Sequence, residues 1–175
     1  MADHHKRILV TGAAGFIGSY VSRALLERGH AVRGIDNFSP YYDPQLKRDR
    51  LAQLPTRAGF SFDTIDIADR DGLQKAFEAA KPDIVVHLAA QVGVRHPLEN
   101  PQAFVDANLV GFADVLEECR RLEVGRLVYA SSRSVYGRTK VVPFSEQQPV
   151  NEPANLYAAT ERANELLADT YAYLL

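Results

Sequence analysis

Three glycines, Gly12, Gly15 and Gly18, stand three residues apart in the stretch TGAAGFIG. Positions without side chains at that spacing let a backbone approach a pyrophosphate, and a helix that begins among them offers its N-terminal amides to the negative charge. Asp36 follows 18 residues after Gly18, at the end of a second apolar run. A carboxylate there accepts hydrogen bonds from the hydroxyls of an adenosine ribose and repels a 2′-phosphate, which favours NAD over NADP. Arg33 argues the other way, but alternation within the run directs it away from the strand end. The spacing is GxxGxxG rather than GxGxxG. The competing reading is a glycine-rich turn that serves packing alone, with Asp36 an ordinary loop acid. The strand–turn–helix context favours the dinucleotide.

Positioning such a site requires alternating strands and helices. Arg7–Thr11 (RILVT), Ala31–Asp36, Phe60–Ile65, Asp83–Leu88 and Arg126–Ala130 read as strands. Phe16–Arg28 carries an apolar stripe at helical spacing, and Gly29 ends it. Leu46–Leu54 is a short helix, a third helix runs from its N-cap Asp69 to Ala80, and Pro101–Leu122 and Ala154–Leu174 are long ones. Strict alternation with apolar strands predicts an α/β fold, a doubly wound parallel sheet of Rossmann type in three α/β/α layers. The connections should be right-handed.

The remaining composition narrows the function. A chain of 175 residues suits one domain, here 1–175. Its 46% hydrophobic and 24% charged residues are those of a globular protein. Twenty Lys and Arg against 22 Asp and Glu leave a net charge of −2, with no basic excess for nucleic acid or an anionic membrane. A single cysteine, Cys119, excludes a disulfide framework and a cysteine metal site. No metal site is expected; the adjacent His4 and His5 read as a solvated terminus. Apolar runs are too short for a membrane span, and residues 1–7 are too polar for a signal-peptide core, so a cytoplasmic location is expected.

The segments TGAAGFIG, DNFSPYYD, HLAAQVGVRHPLENP, ASSRSVYG and the helix of Tyr157 resemble the extended short-chain dehydrogenase/reductase superfamily, and within its NAD-dependent epimerase/dehydratase family the UDP-glucuronate 4-epimerases. The resemblance covers Ile8 to Leu175. It implies that Gly12, Gly15, Phe16, Ile17 and Gly18 hold the pyrophosphate of NAD, that Asp36 and Asn37 meet the adenosine ribose, and that Asp66 and Ile67 flank the adenine. Leu88, Ala89, Ala90 and Gln91 would line the cofactor cleft, and Asn108 matches an asparagine of the fourth helix. Ser132 and Tyr157 match the catalytic pair, with Tyr157 also contacting the cofactor. Val94 and Arg95, with Ser132 and Arg133, would face a UDP-sugar. Taken without the other motifs, Ser132 is a turn serine and Tyr157 a packing tyrosine. The chemistry implied is oxidation of a sugar hydroxyl: a tyrosinate takes the proton, a serine hydroxyl holds the oxygen, and NAD takes the hydride and later returns it to the opposite face.

Three features depart from this pattern. The tyrosine motif YxxxK reads YAATE, so Glu161 stands where the family has lysine. On one helix face, a unit charge ~5 Å away at an effective dielectric of ~20 is worth roughly 3 kcal/mol. Glu161 should therefore keep Tyr157 protonated and impair the base, while remaining able to accept ribose hydrogen bonds. Arg133 replaces a small or acidic residue and could pair with Glu161. Finally, the motifs imply a longer protein, in which a sixth strand and a substrate domain follow the Tyr157 helix. An apolar stripe of Leu156, Ala163 and Leu167, widened by Leu166 and Leu174, suggests a homodimer through helices 101–122 and 154–174. The expectation is an NAD-binding domain of 4-epimerase type with weakened catalysis. The alternatives are a non-catalytic NAD(H)-binding module and a structural or partner protein with a vestigial site.

Overall fold

The computed structural model describes residues 5–54, 59–93 and 100–174. Five strands, β1 (Arg7–Thr11), β2 (Ala31–Asp36), β3 (Phe60–Thr64), β4 (Ile84–His87) and β5 (Leu127–Tyr129), form one parallel sheet in the order β3-β2-β1-β4-β5. Helices α1 (Phe16–Glu27), α2 (Pro44–Ala52) and α3 (Arg70–Ala80) follow the first three strands in turn. The chain reverses direction along the sheet at β1, where the order turns from β3-β2 to β4-β5. Ligands of doubly wound sheets bind beyond the strand C-termini at such a switch point.

Strand alternation sends Leu9, Ile35 and Val85 to one face, where Leu73, Ala76 and Phe77 of α3, with Val115, complete a buried core. Ile8, Val10 and Val32 face the other way and pack with Leu25 and Leu26 of α1. The register pairs Thr11 with both Ile35 and His87, and Asp36 with Thr64. Four strand ends therefore open onto the same rim of the sheet.

Three helices depart from the sequence reading by two residues or more, while the strands and the first helix shift by one residue at most at either end. The second helix begins at Pro44, not Leu46, because the Asp43 carboxylate caps the Gln45 amide at 2.9 Å and proline suits the first helical turn. The last helix, α6 (Leu156–Leu174), starts two residues late, after Asn155 Oδ1 accepts from the Ala158 amide at 2.8 Å. The stretch read as one α-helix over Pro101–Leu122 is three segments: α4 (Pro101–Phe104), a π-helical stretch Val105–Gly111, and α5 (Phe112–Arg121). The widened turn lies where Gly111 meets Ile67; a Cβ on Gly111 would stand 2.8 Å from the isoleucine side chain. π-Turns inside helices recur at functional sites.

A 3₁₀ turn over Arg133–Tyr136 links β5 to the loop before α6. Val110, Leu166, Tyr173 and Leu174 are exposed on the helices proposed to pair. Among the described residues no helix is long and apolar enough to cross a membrane, and no three His, Cys, Asp or Glu side chains cluster to hold a metal.

Candidate active site

The glycine turn is closed to side chains by its own backbone. Gly12 has φ +69°, a conformation that favours glycine, and a Cβ there would meet the Ala89 amide nitrogen at 2.8 Å. A Cβ on Gly18 would stand 2.0 Å from the Gly12 carbonyl oxygen. Gly15 donates to that same oxygen at 2.9 Å and caps α1 without a side-chain hydrogen bond. The first amides of α1 are thus left for an external acceptor, the arrangement that binds phosphate. Phe16 and Ile17 are exposed beside them.

Asp36 is buried at the end of β2. Its Oδ1 accepts from the Phe38 amide at 2.8 Å and from Lys47 Nζ of α2 at 2.9 Å. The lysine is itself buried, so the charge of the Asp36 carboxylate is balanced from within the chain. The pairing leaves Oδ2 without a partner among the described residues, free to accept. Sequence pattern alone misses Lys47, since nothing in the spacing of a short polar helix marks one lysine as turned inward. Arg33 is committed elsewhere, bridging to Asp63 on β3 at 2.7 Å, in agreement with its direction along the strand.

Asn37 Nδ2 donates to Asp66 Oδ2 at 2.9 Å. Both line an open cleft of about 760 Å³ that runs to Gln91 and to Ala107 and Val110 of the π-helical stretch. That volume falls within the range of small-ligand clefts. The Ile67 side chain is buried in the core against Gly111, so only its backbone can meet a ligand in the cleft.

Leu88, Ala89, Ala90 and Gln91 run directly beyond β4, and the floor they form is tied down from two sides. Thr11 Oγ1 accepts from the Leu88 and Ala89 amides, each at 3.1 Å, and lies 2.8 Å from His87 Nδ1. With both lone pairs taken, the hydroxyl donates its proton to His87, whose other ring nitrogen then carries the proton. Burial lowers the His87 pKa to about 4, which keeps the ring neutral. From the other side, Asn108, 1% exposed, accepts from the Gln91 amide at 2.7 Å. Its Nδ2 lies 3.0 Å from both the Gln91 carbonyl and Thr160 Oγ1. Asn108 therefore acts on the floor and on α6, with its side chain committed to protein partners. Thr11 and Thr160 carry no sequence signal of these roles, because each depends on a partner 52 or more residues away.

Ser132 and Tyr157 come together. Ser132 caps the 3₁₀ turn by accepting from the Ser134 amide at 3.1 Å, and the turn packs against α6, so the Ser132 hydroxyl acts on the half-buried Tyr157 in the sense that favours tyrosinate. That effect is outweighed: burial first, and Glu161 second, hold the Tyr157 pKa above its ordinary value. Glu161 is 4% exposed. Burial, then the neighbouring Glu165, push its own pKa up to about 7. The expectation of a fully ionised Glu161 repelling the tyrosine is thereby amended, because desolvation leaves the carboxyl partly neutral at neutral pH. The suggested Arg133–Glu161 pair is not formed: Arg133 is exposed, and no cation pairs with Glu161 among the described residues. Val94 and Arg95 lie outside the described residues.

A parallel sheet with a glycine turn at its switch point, an acidic residue closing β2 and a serine–tyrosine couple beyond β5 defines a Rossmann-type dinucleotide domain of the short-chain dehydrogenase kind. The chain belongs to the NAD dependent epimerase/dehydratase family, which matches residues 8–173. It is 47% identical to a probable UDP-glucuronate 4-epimerase of Rhizobium meliloti over 96% of its length and 49% of the relative's. Among solved structures it is similar to the Bordetella bronchiseptica enzyme WbmH in complex with NAD+, with TM-score 0.83 and 31% identity over 96% of this chain and 53% of that one. It is also similar to the Thermus thermophilus UDP-glucose 4-epimerase in complex with NAD, with TM-score 0.81 and 34% identity over 95% and 51%. The chain spans about half the length of the curated relatives it matches.

Proposed function

We propose that this chain is the NAD-binding part of a nucleotide-sugar 4-epimerase of UDP-glucuronate type whose catalytic base is weakened by Glu161. The observation that carries the reading is Ser132, on the turn beyond β5, packed with the Tyr157 helix α6 past the same strand ends that hold the glycine turn and Asp36. The backbone cradle supports NAD binding: Gly12 and Gly18 leave no room for a Cβ, and the amides of α1 are uncapped. Asp36 Oδ2 would accept the adenosine ribose hydroxyls, and the cleft between Asn37, Asp66 and Gln91 would take the adenine.

When bound, NAD supplies a hydride acceptor that returns the hydride to the opposite face of the sugar carbon. Tyr157 Oη would take the proton of the 4-hydroxyl as the carbon–hydrogen bond breaks, and give it back on return. Ser132 Oγ would hold the same sugar oxygen in line with Tyr157. Taking the proton requires a tyrosinate, which burial and Glu161 oppose. That opposition favours a second reading, a module that binds NAD(H) without turnover.

Calorimetric titration with NAD and conversion of UDP-glucuronate to UDP-galacturonate test both parts. Saturable NAD binding with little or no conversion is expected. Absence of binding would overturn the cofactor reading, and rapid conversion the impairment. Replacing Glu161 by lysine (Glu161→Lys) should raise conversion if the base is the larger defect.

A further inference from the structure

Glu161 lies one helical turn beyond Tyr157; the residue is 4% exposed, its carboxylate oxygens keep a trace of that exposure, and they have no hydrogen bond and no counter-ion among the described residues. The neighbouring charges are already taken. Arg162 pairs with Glu165 at 2.7 Å, and Ser131 Oγ donates to Glu165 at 2.6 Å. On α5, packed against α6, Arg120 and Arg121 pair with Glu117 and Glu118. On the 3₁₀ turn, Arg133 is exposed and does not reach Glu161. Buried carboxylates are ordinarily paired, so one held bare beside a ligand site invites a cationic ligand.

Oxidised and reduced nicotinamide dinucleotides differ in charge at one place. The oxidised ring is a pyridinium cation and the reduced ring is neutral. A fixed carboxylate near that ring distinguishes the two, while every contact to ribose, pyrophosphate and adenine is shared. We propose that Glu161 is the counter-charge for a pyridinium ring, so that this chain holds the oxidised dinucleotide in preference to the reduced one. A lysine at the same place acts with the opposite sign. The inference rests on the NAD-binding reading above. Its effect on the pair is also a potential: a tenfold change in the ratio of the two Kd values moves the midpoint of the bound couple by about 30 mV.

Isothermal titration of the wild-type chain, Glu161→Gln and Glu161→Lys with NAD+ and with NADH at pH 8 tests it, with melting curves confirming the fold of each variant. The ratio Kd(NADH)/Kd(NAD+) is expected to fall about tenfold from wild type to Glu161→Gln, and further in Glu161→Lys. A fall of less than threefold in both variants, or a rise in either, overturns the proposal while leaving cofactor binding intact. Binding of neither nucleotide by any of the three proteins overturns the proposal together with the NAD-binding reading.

Discussion

Replacing Glu161 with glutamine should stabilise the fold, and more so as the pH rises. The carboxyl moves from its ordinary value of 4.5 to about 7 on folding, first through burial and then through Glu165. Its folded pKa is raised, so the folded state binds the proton more tightly. The associated stability is fully present below pH 4.5 and is lost as the pH rises through about 7. At about 1.4 kcal/mol per pH unit across that interval, ionising the buried group costs roughly 3 kcal/mol by pH 8, and under about 1 kcal/mol at pH 5. Glutamine keeps the shape and cannot ionise. Urea unfolding of wild type and Glu161→Gln should therefore give curves that nearly coincide at pH 5 and differ by about 3 kcal/mol at pH 8. In a chain of this size the gap should widen the difference in Tm by about 5–10 °C between the two pH values. A difference that stays constant from pH 5 to pH 8 would refute the reasoning, because it would show that Glu161 is solvated or paired in the folded protein.

Other substitutions test the cradle and its supports. Gly18→Ala sets a methyl 2.0 Å from the Gly12 carbonyl and should cost about 1–3 kcal/mol by thermal unfolding, with loss of NAD binding in calorimetry. Lys47→Ala strands the buried Asp36 charge and should destabilise by about 3 kcal/mol; Lys47→Ala combined with Asp36→Asn should recover much of it. Asn108→Ala frees the Gln91 amide and Thr160 together and should cost about 2–3 kcal/mol, with faster hydrogen exchange at Gln91 than at Val10 of the sheet centre.

Backbone constraints were legible in the sequence; long-range side-chain pairings were not. TGAAGFIG between an apolar run and an amphipathic stripe fixes a strand–turn–helix, and β1, α1 and β2 follow with their strand ends where alternation puts them. The carboxylate of Asp36 was visible for the same reason, as the acid that closes β2. Its lysine was not, because α2 carries too few apolar residues to show which face turns inward. The π-helical stretch was hidden as well. The buried positions Phe104, Asn108 and Phe112 stand four apart, a spacing that an α-helix also produces, so the pattern does not mark the widened turn. The Ser132–Tyr157 couple was implied by motif resemblance rather than by spacing, since Ser132 and Tyr157 meet only when α6 packs on the 3₁₀ turn. The charge state of Glu161 depends on burial, which no local pattern reports.

The glycine turn has a consequence for how such a chain drifts under mutation. A side chain is opposed at Gly12 by the backbone of Leu88 and Ala89 and at Gly18 by the backbone of Gly12, before any ligand is considered. A saturation library selected only for folding should be enriched in glycine at both positions. A lineage that lost all use for a dinucleotide would keep the glycine signature for as long as it kept the fold. Position 161 is held by charge rather than by space, since what costs stability there is the burial of an ionised group. Retained glycines therefore record the architecture of the turn, whether or not a dinucleotide is bound.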